Sequence, residues 1–267
     1  MKQCTNIVGE SCVLSVRNDK MKLNSKTIRE YCSDPVAIRL YDSIDSTNNE
    51  AKRRSDNGIC LYATTHQTAG RGRRGHSFYS PKDTGLYMTL SLPLSAPTAS
   101  VQKITCAAAV AVCEAVGTLS DSRPAIKWVN DIYADGKKAA GILTELLCDD
   151  SNRPRAVIIG IGMNLCTRQF PEEFAANAGN FGDIEINALC GTITARLIKY
   201  FHCLNDNSVI EKYKALNFCI GRAVRYTQND MPHTAKAVDI DADGGLVVEE
   251  NGALTTLNSG EISIVPQ

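Results

Sequence analysis

The stretch Gln67-Thr-Ala-Gly-Arg-Gly-Arg-Arg-Gly75 constrains this chain more than any other. Six consecutive residues, Gly70 to Gly75, hold three glycines and three arginines. Glycine permits positive φ and lets the backbone approach a ligand closely. Arginine adds a permanent planar charge that suits phosphate or carboxylate. No side chain here can fill a core, so the stretch must be a loop around which the fold is arranged. Its like charges repel, so the loop is expected to be poorly ordered alone and to order on an anion. The functional reading is an anion-clamping loop in an enzyme. The alternative is a solvated loop or an RGG-like nucleic-acid contact.

The rest of the chain weighs against nucleic acid. Lysine plus arginine total 29 and aspartate plus glutamate total 29, whereas a dedicated nucleic-acid binder carries a basic excess. The cationic cluster is therefore local and directed at a small anion. Eleven cysteines invite a metal or disulfide reading. None has the spacing of a ligand pair, the nearest being Cys106 and Cys113, and His66, His76, His202 and His233 show no zinc pattern. Cys106, Cys113 and Cys190 lie in apolar runs, as small buried thiols do. An odd cysteine count without a secretory signal implies a cytoplasmic protein. The longest apolar run, Ile104 to Val116, contains Glu114 and is too short for a bilayer, so no membrane role is expected.

At 267 residues the chain has room for one large domain and a smaller one. Residues 1–36 are weakly patterned, with one short helix over Asn24 to Cys32. Ile38 to Tyr41 reads as a strand. Thr47 and Glu50 have capping-box spacing, which starts a helix running through Arg54. Ile59 to Thr65 is a strand that delivers the chain into the glycine-arginine loop. Leu86, Met88, Leu90 and Leu92 alternate with Tyr87, Thr89 and Ser91 in a half-buried strand. Ala99 to Leu119 reads as a buried helix. Ala125 to Val129, Lys138 to Leu147 and Ala156 to Met163 read as strands, and Leu189 to Phe201 and Val209 to Leu216 as closing helices. Interleaved strands and helices predict an α/β layered domain over residues 37–218. Short strands then follow at Gly221–Tyr226, Ala235–Asp241, Gly245–Glu250, Ala253–Leu257 and Glu261–Val265, with Asn251-Gly252 as a tight hairpin turn. They predict a small β-barrel over residues 219–267.

Polar clusters fall at strand ends or turns of the larger domain, where ligand sites usually lie. They are Ser46-Thr-Asn48, Gln67 to Gly75, Lys127-Trp-Val-Asn-Asp131 and Lys138-Ala-Ala-Gly141. Gly160-Ile-Gly-Met-Asn164 adds glycines on a strand, where a ligand or another backbone must come close. Each alone has a plain explanation as a helix cap, a turn, a solvated lysine or a packing glycine. In this order, from about Tyr41 to the C-terminus, they resemble the biotin protein ligases. Gln67 to Gly75 is similar to the family's biotinyl-adenylate loop. Lys127-Trp-Val-Asn-Asp131 resembles its K-W-P-N-D motif, with Val129 for the proline, and Lys138-Ala-Ala-Gly-Ile-Leu-Thr-Glu145 its K-x-x-G-I-L-x-E motif. Asp239 to Glu249 and Gly260-Glu-Ile-Ser263 resemble its C-terminal barrel. Phe78 stands where relatives often have tryptophan.

The resemblance implies a mixed-sheet catalytic domain related to class II aminoacyl-tRNA synthetases, followed by an SH3-like barrel. It implies activation of biotin by ATP to biotinyl-5′-AMP, then transfer to a lysine of a carrier domain. Ser46, Thr47, Asn48, Gln67, Gly70, Arg71, Lys138 and Gly141 are then the biotin-binding candidates. Arg71, Arg73, Arg74, Phe78, Lys127, Asn130, Asp131 and Asn164 are the nucleotide-binding candidates. Lys138, Arg73 and Arg71 are the catalytic ones, and Asp131 is the candidate Mg²⁺ contact. ATP with Mg²⁺ and biotin are consumed or recruited in turnover, with no tightly bound cofactor. The implied partner is the biotin carboxyl carrier domain of acetyl-CoA carboxylase, and monomer and homodimer both occur in the family. The rival in the same fold is a lipoate–protein ligase. A biotin-responsive transcriptional regulator is the rival of another class, and too few residues precede Tyr41 for its DNA-binding domain.

Overall fold

A computed structural model describes residues 21–94 and 101–265. Most of the segment expected over residues 1–36, and the Ala99 end of the expected long helix, lie outside the described residues. The chain builds two sheets. The larger has seven strands: β1 (Ala37–Tyr41), β2 (Cys60–Thr64), β3 (Gly85–Pro93), β4 (Ala125–Lys127), β5 (Asp131–Ala134), β6 (Lys137–Cys148) and β7 (Pro154–Asn164). Their order across the sheet is β1-β2-β3-β7-β6-β5-β4. β1 and β2 are parallel, and the other neighbours are antiparallel. The parallel pair requires a crossover, which helix α2 (Thr47–Arg54) supplies.

The alternation read in the sequence decides which face of this sheet is core and which is site. Leu86, Met88, Leu90 and Leu92 of β3 join Val157, Ile159, Ile161 and Met163 of β7 and Ala140 and Ile142 of β6 in one core cluster. Helices α3 (Val101–Leu119), α5 (Ile186–His202) and α6 (Ser208–Leu216) cover that face, and the single-turn α4 (Glu172–Ala175) lies between α3 and α5 in the chain. Helix α3 is long and apolar enough to cross a membrane. It is longer than the apolar run Ile104 to Val116, and it serves as the central core helix, with Ala107 to Val112 at 0–1 % exposure. The opposite face carries Tyr87 and Thr89 of β3, Gly160 and Gly162 of β7, and Gly141 and Leu143 of β6; β3 is buried on both faces and not half-buried as its alternation suggested, because other side chains pack over this face too.

One local feature differs from the sequence reading and a second agrees with it. Lys127-Trp-Val-Asn-Asp131 is the turn of a hairpin, because β5 follows at once and pairs with β4. This four-residue strand is too short to show a period, but Asp135-Gly136 marks its end, both at positive φ (49° and 74°). The second feature is the short helix before residue 37. It spans α1 (Ser25–Glu30) and packs on α5. Asn24 caps it by accepting from Lys26 and Thr27, Ile28 is fully buried, and a Cβ at Gly191 of α5 would lie 2.6 Å from the Ile28 carbonyl.

The smaller sheet has five antiparallel strands: β8 (Ala223–Gln228), β9 (Met231–Ile240), β10 (Leu246–Glu250), β11 (Ala253–Leu257) and β12 (Ile262–Ile264). Their order is β11-β10-β9-β8-β12. Asn251-Gly252 is a tight turn with both φ positive (53° and 80°), as its sequence predicts. Asn229-Asp230 does the same between β8 and β9 (50° and 61°), so β9 begins earlier than Ala235. The two sheets are fastened at Gly244, whose carbonyl accepts from the Trp128 indole at 3.0 Å and from Gln102 at 2.6 Å. Within the larger domain, Tyr213 donates a buried bond to the Val129 carbonyl at 2.9 Å and holds the same turn that carries Trp128.

Candidate active site

Strand register lays the floor of a cavity. Thr89, Gly160 and Leu143 face one another across β3, β7 and β6, and Tyr87, Gly162, Gly141 and Asp131 form the next row through β5. Where glycine removes the side chain, a neighbour descends into the gap. A Cβ at Gly160 would lie 2.1 Å from Asn48 Oδ1, and one at Gly162 would lie 2.7 Å from the Phe78 ring. The glycines of the Gly160 to Asn164 segment are thus approached by side chains, not by a second backbone.

Helix α2 brings Ser46, Thr47 and Asn48 over this floor. Ser46 is the N-cap. Gln67 Oε1 accepts from the Thr47 N–H at 2.9 Å and lies 3.2 Å from the Thr47 hydroxyl. Its Nε2 donates to Ser80 at 3.2 Å. The buried Thr89 hydroxyl lies 2.8 Å from Thr47 Oγ1 and 2.6 Å from Asn48 Oδ1. Burying these hydroxyls and amides is tolerable because they satisfy one another.

The glycine-arginine loop closes one side. It folds back as a hairpin, with Gly72 N–H donating to His76 at 2.7 Å and Phe78 N–H to Gly70 at 2.9 Å. Two of its three arginine charges find acceptors within the protein. Arg71 lies against Glu145 at 3.3 Å and Asn49 at 3.1 Å. Arg73 donates to Asn130 at 3.0 Å and to the carbonyl of Gly260, in the loop between β11 and β12, at 3.3 Å. Burial, and then the adjacent Arg74 charge, pull the Arg73 pKa down. Gly70 is required by crowding: a Cβ there would lie 2.3 Å from the Phe78 carbonyl, whereas Gly75 is the loop glycine at positive φ (81°).

The cavity so enclosed has a volume of about 350 Å³. Its lining includes Ser46, Thr47, Asn48, Gln67, Arg71, Arg73, Phe78, Lys127, Asn130, Asp131, Lys138 and Gly141. Four cationic side chains (Arg71, Arg73, Lys127, Lys138) face it against two carboxylates, Asp131 and Glu261. Lys138 Nζ is 2.7 Å from Asp131. A second cavity of about 740 Å³ adjoins it and shares Ser77, Phe78, Lys127, Lys138, Phe174 and Ser263. Asn164 lines this second space, together with Tyr79, Tyr133, Phe170, Phe218, Arg123 and Arg222. Gly70 and Arg74 line neither. Gly70 sits behind the loop, and the Arg74 guanidinium lies toward Gly260.

Residues that the sequence reading left without a role also build the site. Glu145 receives Lys52 at 2.7 Å and Asn48 at 2.9 Å. Burial alone raises its pKa, but bonds from Lys52 and Asn48 outweigh that and the net shift is downward. Its place at the end of Lys138 to Glu145 was the available signal. Thr89 and the Gly260 carbonyl gave none, since their roles come from register and from contact between the sheets. Among the described residues no group of three or more His, Cys, Asp or Glu side chains converges as a metal centre. The buried thiols of Cys106, Cys113 and Cys190 have pKa values pushed up by burial, Cys113 to about 12, which leaves them poor nucleophiles.

Comparison with known proteins agrees with this architecture. Residues 40–164 match the Biotin/lipoate A/B protein ligase family and residues 219–265 the Biotin protein ligase C terminal domain. The chain is 31 % identical over 241 residues to the bifunctional ligase/repressor BirA of Bacillus subtilis, covering 84 % of this chain and 73 % of that one. It is 29 % identical over 246 residues to the biotin–[acetyl-CoA-carboxylase] ligase of Mycobacterium tuberculosis, covering 86 % and 87 %. The fold superposes on the biotin protein ligase from Aquifex aeolicus, solved with biotin and ATP, with a TM-score of 0.74 at 24 % identity, over 86 % of this chain and 99 % of that one. This chain belongs to the biotin protein ligases.

Proposed function

We propose that the chain condenses biotin with ATP to give biotinyl-5′-AMP and pyrophosphate, and then transfers biotin to a carrier lysine. The observation that carries this reading is the junction of the two cavities, where Lys127 and Lys138 line both spaces and Arg73 stands beside them. Both reactants are anions at the reacting atoms. Two unit charges ~4 Å apart interact by about 4 kcal/mol at an effective dielectric near 20. A cluster of fixed cations offsets that repulsion and stabilises charge as it develops.

The smaller cavity takes biotin and the larger takes the nucleotide. Ser46, Thr47, Asn48 and Gln67 offer donors and acceptors to biotin's ureido head, and the Phe78 ring that lies over Gly162 and Gly141 supplies an apolar wall beside it. Gln67 presents its remaining N–H, because its oxygen already faces the Thr47 N–H. Lys138 and Arg73 hold the biotin carboxylate against the α-phosphate of ATP. The carboxylate oxygen attacks that phosphorus, and pyrophosphate leaves with the electron pair of the broken bond. Asn130, Lys127 and Asn164 contact the nucleotide, and the aromatic wall of the second cavity stacks its base. Asp131 would be the carboxylate that holds the Mg²⁺ accompanying ATP, an ion that would be bound mainly by phosphates and water and would offset phosphate charge. In the second step a lysine ε-amine attacks the mixed anhydride, forms the amide and expels AMP. The closed loop keeps water from the anhydride until then.

The domain division follows the same reading: residues 37–218 carry the substrates, and residues 219–267 close the site through Gly260 and Ser263. The carrier is the biotin carboxyl carrier domain of acetyl-CoA carboxylase. Biotin-dependent ATP–pyrophosphate exchange, run beside lipoate, tests the proposal. Exchange with lipoate and none with biotin would refute the substrate.

A further inference from the structure

We infer that Glu145 is a positioning residue that couples the biotin end of the cavity to closure of the Gly70 to Gly75 loop. The inference rests on the reading of the smaller cavity as the biotin site. Glu145 continues the Gly141 and Leu143 row on the site face of β6, with its side chain 20 % exposed. One carboxylate gathers groups from two elements, Lys52 and Asn48 of helix α2 and Arg71 of the loop. Oε1 takes Lys52 Nζ at 2.7 Å and an Arg71 nitrogen at 3.3 Å. Oε2 takes Asn48 Nδ2 at 2.9 Å and the other Arg71 nitrogen at 3.4 Å.

The chemistry of these partners fixes Asn48. Its Nδ2 faces Glu145 and, at 3.4 Å, the Leu143 carbonyl, both acceptors without a proton. The amide therefore has one orientation, with Oδ1 over Gly160 and facing the Thr89 hydroxyl. An amide oxygen has two lone pairs, so one remains for a ligand N–H. Arg71 is the loop's tie to this end of the site, and its other partner is Asn49 of the same helix. A change at the biotin end that moves Asn48 thus moves the carboxylate that holds the loop, and the reverse also applies. Arg73 fastens the loop's other side independently, to Asn130 and Gly260.

The test uses the full chain, with Glu145→Gln, Arg71→Ala and the double variant. Glutamine keeps an oxygen for Asn48 and removes the charge that holds Arg71. Arg71→Ala reads the same contact from a side chain that is 40 % exposed, so folding is not at issue. The expected result for Glu145→Gln is a rise in biotin KM of about tenfold, the scale of one charge-assisted hydrogen bond, with ATP KM within about twofold; Arg71→Ala also removes a cation from the cavity wall, and its biotin KM rises at least as much. Release of adenylate, read as labelling of bystander lysines, rises in parallel. In the double variant the second substitution adds less than about twofold. Additive effects, or biotin and ATP KM rising together, would overturn the coupling. The substrate reading fails separately, if wild-type exchange responds to lipoate and not to biotin.

Discussion

Gly160→Ala tests the packing of the site floor most directly. The new methyl would lie 2.1 Å from Asn48 Oδ1 and 2.8 and 2.9 Å from its Cγ and Nδ2, so the amide cannot stay where it is. Nor can it shift a little, because Nδ2 is held by Glu145 at 2.9 Å and Oδ1 lies 2.6 Å from the Thr89 hydroxyl. Moving off the floor breaks one charge-assisted and one neutral hydrogen bond. At about 1.5–3 and 1 kcal/mol respectively, the loss is about 3 kcal/mol, shared between stability and biotin binding. Gly162→Ala is the internal comparison. Its methyl would meet the Phe78 ring at 2.7 to 3.0 Å, and a ring held by packing alone can rotate aside at a cost of about 1–2 kcal/mol. The assay is urea unfolding of both variants with and without saturating biotin, alongside biotin KM. The alanine at 160 is expected to lose more stability, and to be rescued less by biotin, than the alanine at 162. Wild-type stability and biotin KM for Gly160→Ala would refute the claim that Asn48 is locked over that glycine.

Three further outcomes follow from the same structure. Lys138→Ala removes one of the two lysines that line both cavities and is expected to abolish biotin-dependent pyrophosphate exchange; near-normal exchange would remove Lys138 from the reacting center. Arg73→Gly frees the loop from Asn130 and Gly260 and is expected to release adenylate, seen as biotin on lysines of an added bystander protein. Labelling confined to the carrier would refute the containment role. Asp56 is held down to about 2 by hydrogen bonds from Arg39 and Tyr62. Its folded pKa lies below the ordinary 3.8, so its contribution to stability is present above about pH 4 and is lost as pH falls toward 2. Asp56→Asn is expected to flatten the fall in urea midpoint across that window, and an unchanged slope would contradict the assignment.

Local pattern made much of this molecule legible. The alternation in β3 both predicted a strand and separated its core face from its site face, because a two-residue period leaves no other arrangement. Asn251-Gly252 dictated its own turn, since few residues accept positive φ. The clusters at Ser46, Gln67, Lys127 and Lys138 were visible as polar residues interrupting apolar runs. Tertiary structure decided which of them meet. Register across β3, β7, β6 and β5 sets Thr89 beside Gly160, Tyr87 beside Gly162, and Gly141 beside Asp131, and a register is a long-range pairing that no single segment encodes. The same holds for Arg71, whose charge suggests a phosphate but whose guanidinium lies on Glu145, and for Arg73, which takes a carbonyl from the loop between β11 and β12, 187 residues away. Residue type determines what a side chain is able to bind. Its partner depends on the packing of distant strands, because partial charges and close contacts act over a few ångströms of space and take no account of distance along the chain.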